Sequence, residues 1–243
     1  MVAIPGNDFY RLIYASMRGV VEQSPQGAGD VPFRLDYYEL ARKSSHLLGK
    51  NSFGAAYSFR HRCILSLRKG PEDQNFVIEL IEPEEGSVLR TFPLENSLFL
   101  SYEKDVAFKI FDGPDGSLIL AAPSETTIVI NLHSPERSRR VEISPFSDPI
   151  GIRNLGESKF EFVTRINGWT FSQPQLYLPH IDKSIFISRT RVYLRDLRDR
   201  EKSMPTEIAE LDDAPWYGFF NIAERRIYLF GGLQYYVEYI TLF

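Results

Sequence analysis

From Arg62 onward the chain falls into short apolar segments in which large and polar side chains alternate, each stopped by Gly, Pro, Asp or Asn. A period of two puts successive side chains on opposite faces of a pleated strand, and the stopping residues are turn formers, so the pattern predicts strands joined by tight turns. A first hairpin pairs residues 63–67 with 76–81 across a turn at 69–73, and residues 88–92 extend it. A second joins residues 98–102 to 106–111, and the turn at 112–116 leads into 118–122. The series continues through residues 127–132, 140–143, 159–166, 175–178, 184–188, 191–197, 216–221, 226–230 and 235–242. The expected fold class is mostly β, an antiparallel strand meander.

The N-terminal pattern differs. Phe9, Leu12, Ile13, Met17, Val20 and Val21 recur at helical spacing behind Asn7 or Asp8 as a cap, although residues 10–16 also read as a strand. Residues 23–30 have the Gly, Pro and Gln composition of a mobile loop. The division expected is an N-terminal extension with a flexible loop over residues 1–30 and a single β domain over 31–243.

Strand hairpins of one style recur, as Leu118, Ile185 and Ile227 each sit in an apolar strand followed by a tight turn and a second strand. Sheets repeated in this way bury their faces on one another, which is the logic of a β-propeller, and about five units of ~40 to 50 residues would fit the chain. Residues 226–233, with Gly231 and Gly232 closing an apolar strand, followed by 237–240, resemble the core of a kelch repeat. The resemblance covers about twenty residues against a kelch repeat of ~50, and it implies a propeller fold without assigning any site. A β-sandwich or barrel is the alternative. The apolar strand at 235–242 is expected to be integral to the core, and residues 33–40 are expected to complete the last unit if the fold closes into a ring.

Apolar residues are 43% of the chain and charged ones 25%, enough to bury a core. A formal net charge of -4 supplies no field for a phosphate backbone, so nucleic acid is an unlikely partner on this count. The 20 Arg against 8 Lys, with 18 Phe and 13 Tyr, favour protein contacts, because Arg and aromatic side chains anchor interfaces. The candidate partner-binding residues are Arg137, Arg139 and Arg140 in one basic turn, Arg189, Arg191 and Arg195 in another, and Trp216 and Tyr217 in a dense aromatic segment. One cysteine, Cys63, forms no disulfide within the chain, and its apolar strand marks it as a buried, inert thiol. No apolar run approaches the ~20 residues that span a bilayer, and no leader pattern opens the chain, so a cytoplasmic or nuclear location and no membrane contact are expected.

No phosphate-binding loop, dinucleotide fingerprint, serine elbow or zinc-helix motif occurs. His46, His61, His133 and His180 are scattered, so neither a metal nor a cofactor is expected. The expected function is therefore a non-catalytic protein–protein interaction module or a subunit of a larger assembly. One alternative is a glycan hydrolase that gathers carboxylates on a central axis, with Asp105, Asp112, Asp115, Asp182, Asp213 and Glu224 as candidates. Another is a structural component of a viral or organellar complex.

Overall fold

The computed structural model describes residues 11–26, 32–70, 75–99, 106–122, 127–143, 149–164, 175–198, 204–215, 217–231 and 236–241, and the chain they trace is mostly antiparallel β. The first unit holds β1 (Arg11–Ala15), β2 (Gly19–Pro25), β3 (Phe33–Glu39) and the leading part of β4 (Ser44–Ser58). The second runs from the trailing part of β4 through β5 (Cys63–Lys69), β6 (Phe76–Ile81) and β7 (Val88–Pro93). The third holds β8 (Lys109–Asp112), β9 (Ser117–Ala121), β10 (Thr127–Asn131) and β11 (Arg139–Val141), and the fourth β12 (Pro149–Gly156) and β13 (Lys159–Thr164). The fifth is β14 (Gln175–Leu178), β15 (Lys183–Ser188), β16 (Arg191–Asp196) and β17 (Thr206–Glu210); the sixth is β18 (Tyr217–Asn221), β19 (Arg226–Gly231) and β20 (Tyr236–Thr241).

Strand β4 belongs to two units at once. Its residues 44–52 pair with β3 and residues 52–58 pair with β5, with the register slipping at Ser52/Gly54. There the Phe108 amide donates to the Phe53 carbonyl at 2.7 Å. A Cβ on Gly54 would lie 2.2 Å from the Phe108 carbonyl oxygen, so glycine is what lets the approach to β8 cross β4 this closely. The first strand of each unit then packs on its neighbours: β1 on β4, β4 on β8, β8 on β12, β12 on β14, β14 on β18, and β18 on β1. Among the described residues, six units close into a ring.

Alternation along the strands builds the seams. In β19, Ile227 and Leu229 face the fifth unit while Tyr228 and Phe230 face the first. In β9, Leu118 and Leu120 join Cys63, Leu65 and Ile78 of the second unit, and Ile119 joins Ile152 and Phe160 of the fourth. Ile13, Val21 and Leu35 meet Ala55, Ile64 and Ile81 between the first and second units.

The structure corrects several expectations. The helical spacing near the N-terminus is a hairpin, β1 and β2, whose register slips between Leu12 and Tyr14. Leu12 faces the sixth unit and Ile13 the second, so burial on both faces imitates a helical stripe. Strand β2 pairs along its length with β3, so the boundary drawn at residue 30 falls within one sheet. Residues 33–40 carry β3, flanked by β2 and β4, and do not complete the last unit. Asn96–Phe99 is a turn of 3-10 helix in place of the expected strand opening. Strands β4, β12 and β17 lie where the alternating pattern predicts none, and the units number six where about five are expected.

The ring closes between its ends through the buried Asn221, whose Nδ2 donates to the Ala15 carbonyl at 2.9 Å. Asn221→Ala should therefore destabilise the fold by about 1–3 kcal/mol, the cost of leaving a buried carbonyl unpaired, measured by denaturant unfolding. On β2, burial and then the charge of Asp36, its cross-strand neighbour, push the Glu22 carboxyl up to about 7. Such a group holds its proton more tightly folded than unfolded, so its stabilising effect is complete below the unfolded pKa and is lost as pH rises through about 7. In the native chain the denaturation midpoint should decrease as pH is raised from about 5 to about 8, and that slope should flatten in Glu22→Gln.

Candidate functional site

Where the six inner strands converge they leave a cavity of about 270 Å³ on the ring axis. Every unit contributes to its wall: Leu12 and Ile13 from β1, Tyr57 from β4, Lys109 and Phe111 from β8, Ile150 from β12, Gln175 and Tyr177 from β14, and Tyr217 and Phe219 from β18. The strands point these side chains inward because the axis is where all six sheets narrow.

One arc of the wall is aromatic. Phe59 stacks on Phe219 with ring centres 5.9 Å apart, and Tyr57 meets Phe59 edge-on at 5.1 Å. Such faces suit the apolar face of a ring-shaped ligand. Burial pushes the Tyr57 phenol up to about 12 and raises that of Tyr217. The Tyr177 phenol is also pushed up to about 12, by burial first and then by Asp182, with the Arg153 cation pulling the other way. These phenols therefore stay protonated at neutral pH and act as hydrogen-bonding groups.

Charge on the wall comes from Lys109, whose Nζ donates to the Pro149 carbonyl at 3.0 Å. Among the described residues, no Asp, Glu, His or Cys lines the pocket and no three such residues form a cluster. The carboxylates expected on the axis work elsewhere. Asp112 accepts from Ser58 Oγ at 2.6 Å, Asp115 from Ser158 Oγ, Asp213 from the Ala214 amide, and Glu224 from the Met17 amide and the Tyr228 hydroxyl. Asp105 lies outside the described residues. Asp182 stands just behind the wall, taking hydrogen bonds from Tyr177 Oη at 3.1 Å and Arg153 Nε at 2.9 Å.

The residues expected to bind a partner sit on different units. Arg137, Arg139 and Arg140 are exposed on the third unit, while Arg189 and Arg191 are exposed on the fifth with Arg195 half-buried, and the fourth unit lies between them. Arg191 pairs with Glu207 on the neighbouring strand at 3.4 Å. Trp216 lies outside the described residues. Tyr217 faces the axial cavity. Nothing in the sequence singles out Lys109, Gln175, Tyr57 or Tyr177. The one local signal is a cation inside the apolar run 106–111.

No family model matches the chain, and no curated protein does. Among solved structures it is similar to a gluconolactonase of Xanthomonas campestris, with a TM-score of 0.52 at 9% identity over 97% of this chain and 86% of that one. The fold is a β-propeller. A proposed 6-phosphogluconolactonase of Bacteroides fragilis aligns with a TM-score of 0.44 at 12% identity, covering 89% of this chain and 75% of its own. The Dos1 propeller aligns at 0.38 and 11% over 91% of this chain, which spans about half of its length, 51%. The propeller expected from the kelch-like segment is supported and the kelch-like repeat itself is not; residues 232–235 of that segment lie outside the described residues.

The expectation of a non-catalytic interaction module is corrected by the Xanthomonas neighbour, an enzyme with this architecture along nearly the whole chain. That expectation rests on missing motifs, and a propeller assembles its pocket from single residues of six blades, so no contiguous motif has to appear. The alternative, a glycan hydrolase with carboxylates gathered on the axis, is closer to that neighbour, but among the described residues no carboxylate lines the pocket.

Cys63 is fully buried between the second and third blades, and burial, then the nearby Asp112, push its thiol up to about 12. Because the thiolate is the reactive form, a thiol reagent at pH 8 should label the native chain at most slowly and the denatured chain fully, as read by mass spectrometry.

Proposed function

We propose that the chain is a hydrolase of small cyclic esters that binds its substrate in the axial pocket. The observation that carries this reading is the pocket itself: about 270 Å³, drawn from all six blades, aromatic on one arc and bearing, among the described residues, one charged group, the Lys109 ammonium. The likeness of fold to a gluconolactonase supports it.

In the reaction, water adds to the lactone carbonyl carbon, the ring carbon–oxygen bond breaks, and the ring oxygen leaves as a hydroxyl after taking a proton. Negative charge develops on the carbonyl oxygen as water adds. Lys109 is the wall group that can meet it, and a cation in a pocket of low dielectric acts more strongly there than in water. The protonated phenols of Tyr57 and Tyr177 hold the ring and its substituents.

Acid release from glucono-δ-lactone, followed with a pH indicator against the spontaneous rate, tests the reading. Lys109→Met should lower kcat by roughly a hundredfold, the size of effect seen when one oxyanion donor is removed. Wild-type turnover no faster than the spontaneous rate across lactones of five- and six-membered rings would reject it.

A further inference from the structure

The wall of the axial pocket is two-sided. The sixth, first and second blades give it Phe219, Leu12, Tyr57 and Phe59 and, among the described residues, no charged or amide side chain. Phe59 stacks on Phe219 at 5.9 Å and Tyr57 meets Phe219 edge-on at 6.1 Å, so rings from two blades that are not neighbours touch in front of the first. Tyr14 of β1 backs them, 4.7 Å from Tyr57 and 5.8 Å from Phe219. Tyr57 and Phe59 are only half-buried, so the packing of the blades leaves ring surface on both unused. The charged and amide groups stand elsewhere: Gln175 is on the fifth blade, and Lys109 of the third reaches the Pro149 carbonyl of the fourth at 3.0 Å. In a ring of six the fourth blade stands across the axis from the first. The ammonium and the aromatic arc thus lie on opposite sides of the cavity.

We propose that the aromatic arc is a subsite for a hydrocarbon ring, with Phe59 and Phe219 as specificity-determining residues, and that the preferred ligands are lactones fused to an aromatic ring. Such a ligand is itself two-sided. With its carbonyl toward Lys109, its hydrocarbon edge falls on the arc, where burial removes apolar surface from water on both partners and ring-to-ring contacts add to the gain. A lactone hydroxylated around its ring would give up water there and find, among the described residues of that arc, the phenols of Tyr57 and Tyr217 as partners. Each hydroxyl left unpaired is costly to bury. A cavity of about 270 Å³ is small for a ligand site, so it takes one ring or two fused rings and no long chain. The inference rests on the lactone-binding reading of the pocket and gives that reading its substrate class.

Lactams, which bind without turnover, separate the subsite from the hydrolase reading. Isothermal titration calorimetry compares δ-valerolactam, its benzo-fused analogue dihydroisoquinolinone, and the hydroxylated gluconolactam. The wild-type chain should bind the fused lactam about ten- to a hundredfold more tightly than δ-valerolactam, the gain from burying the added ring, and gluconolactam no more tightly than δ-valerolactam. Phe59→Leu and Phe219→Leu, which keep an apolar side chain and remove the aromatic face, should each lower the preference for the fused lactam about three- to tenfold. Thermal melts identify a variant that does not fold, and the wild-type comparison decides if neither does. Equal binding of fused and bare lactams by the wild-type chain, no binding of the fused lactam, tighter binding of gluconolactam than of the fused lactam, or a preference unchanged in both folded variants each overturn the inference. If the preference and its loss are seen while no lactone is hydrolysed, the hydrolase reading fails and the subsite stands. If lactones are hydrolysed while fused and bare lactams bind alike, the subsite fails and the hydrolase reading stands.

Discussion

A small twisted sheet that is apolar on both faces has to be covered on both, and this constraint organises the whole chain. Strand β19 shows it at the level of single residues, with Ile227 and Leu229 turned one way and Tyr228 and Phe230 the other. In a linear stack of blades the two end faces would stand in water. Here the end faces are Leu12, Val20 and Tyr38 of the first blade and Tyr228 and Phe230 of the sixth, and they cover each other. At ~1.5 to 3 kcal/mol for each large side chain buried, that seam rivals the ~5 to 15 kcal/mol that holds a domain folded. Closure is therefore a condition of stability for every other blade.

The pocket follows from the ring. Six inner strands cannot meet at a point, because backbones need room for the side chains between them, and the residual space on the axis is what a ligand can use. Its character is set by the strands that surround it. Inner strands begin beside apolar seams, so the wall is mostly apolar and aromatic, and the phenols it contains are driven to hold their protons. In such surroundings the Lys109 ammonium is the charged group that the described wall presents to the pocket.

How much of this can be read from the sequence depends on what kind of information each feature carries. Strands β5, β6, β14 and β15 are legible nearly to their ends, since alternation and turn residues are local signals. Strand β4 is not, because its run of Ser, Gly, Lys and Asn over residues 44–54 is polar where it is exposed and small where β8 crosses it. Strand β12 is hidden because Pro149 and Gly151 break its alternation, although the Pro149 carbonyl accepts from Lys109 and Gly151 leaves room for the Tyr177 ring. The propeller is visible as repetition. Its pocket is not, because Tyr57, Lys109 and Tyr177 come from different blades and meet only when the ring closes. Asp182 reads as an axial carboxylate and stands one residue removed from the axis, behind Tyr177.

Among the described residues, the seam between the fourth and fifth blades carries an ionic network where the other seams carry apolar clusters. Burying Arg153 against Glu161 and Asp182 desolvates three charges, and such an arrangement contributes little net stability beside an apolar cluster of the same volume. What a cluster of Ile and Phe cannot do is fix the direction of a hydrogen bond. The fork of Arg153 spreads over Asp182, Glu161 and the Leu197 carbonyl, which pins the Asp182 carboxylate, and Asp182 then dictates where the Tyr177 proton points. Tyr177 is the only member of this network on the pocket wall among the described residues. Polarity at this seam thus exchanges stability for orientation, and the orientation it fixes is that of Tyr177, whose side chain is also part of the pocket wall.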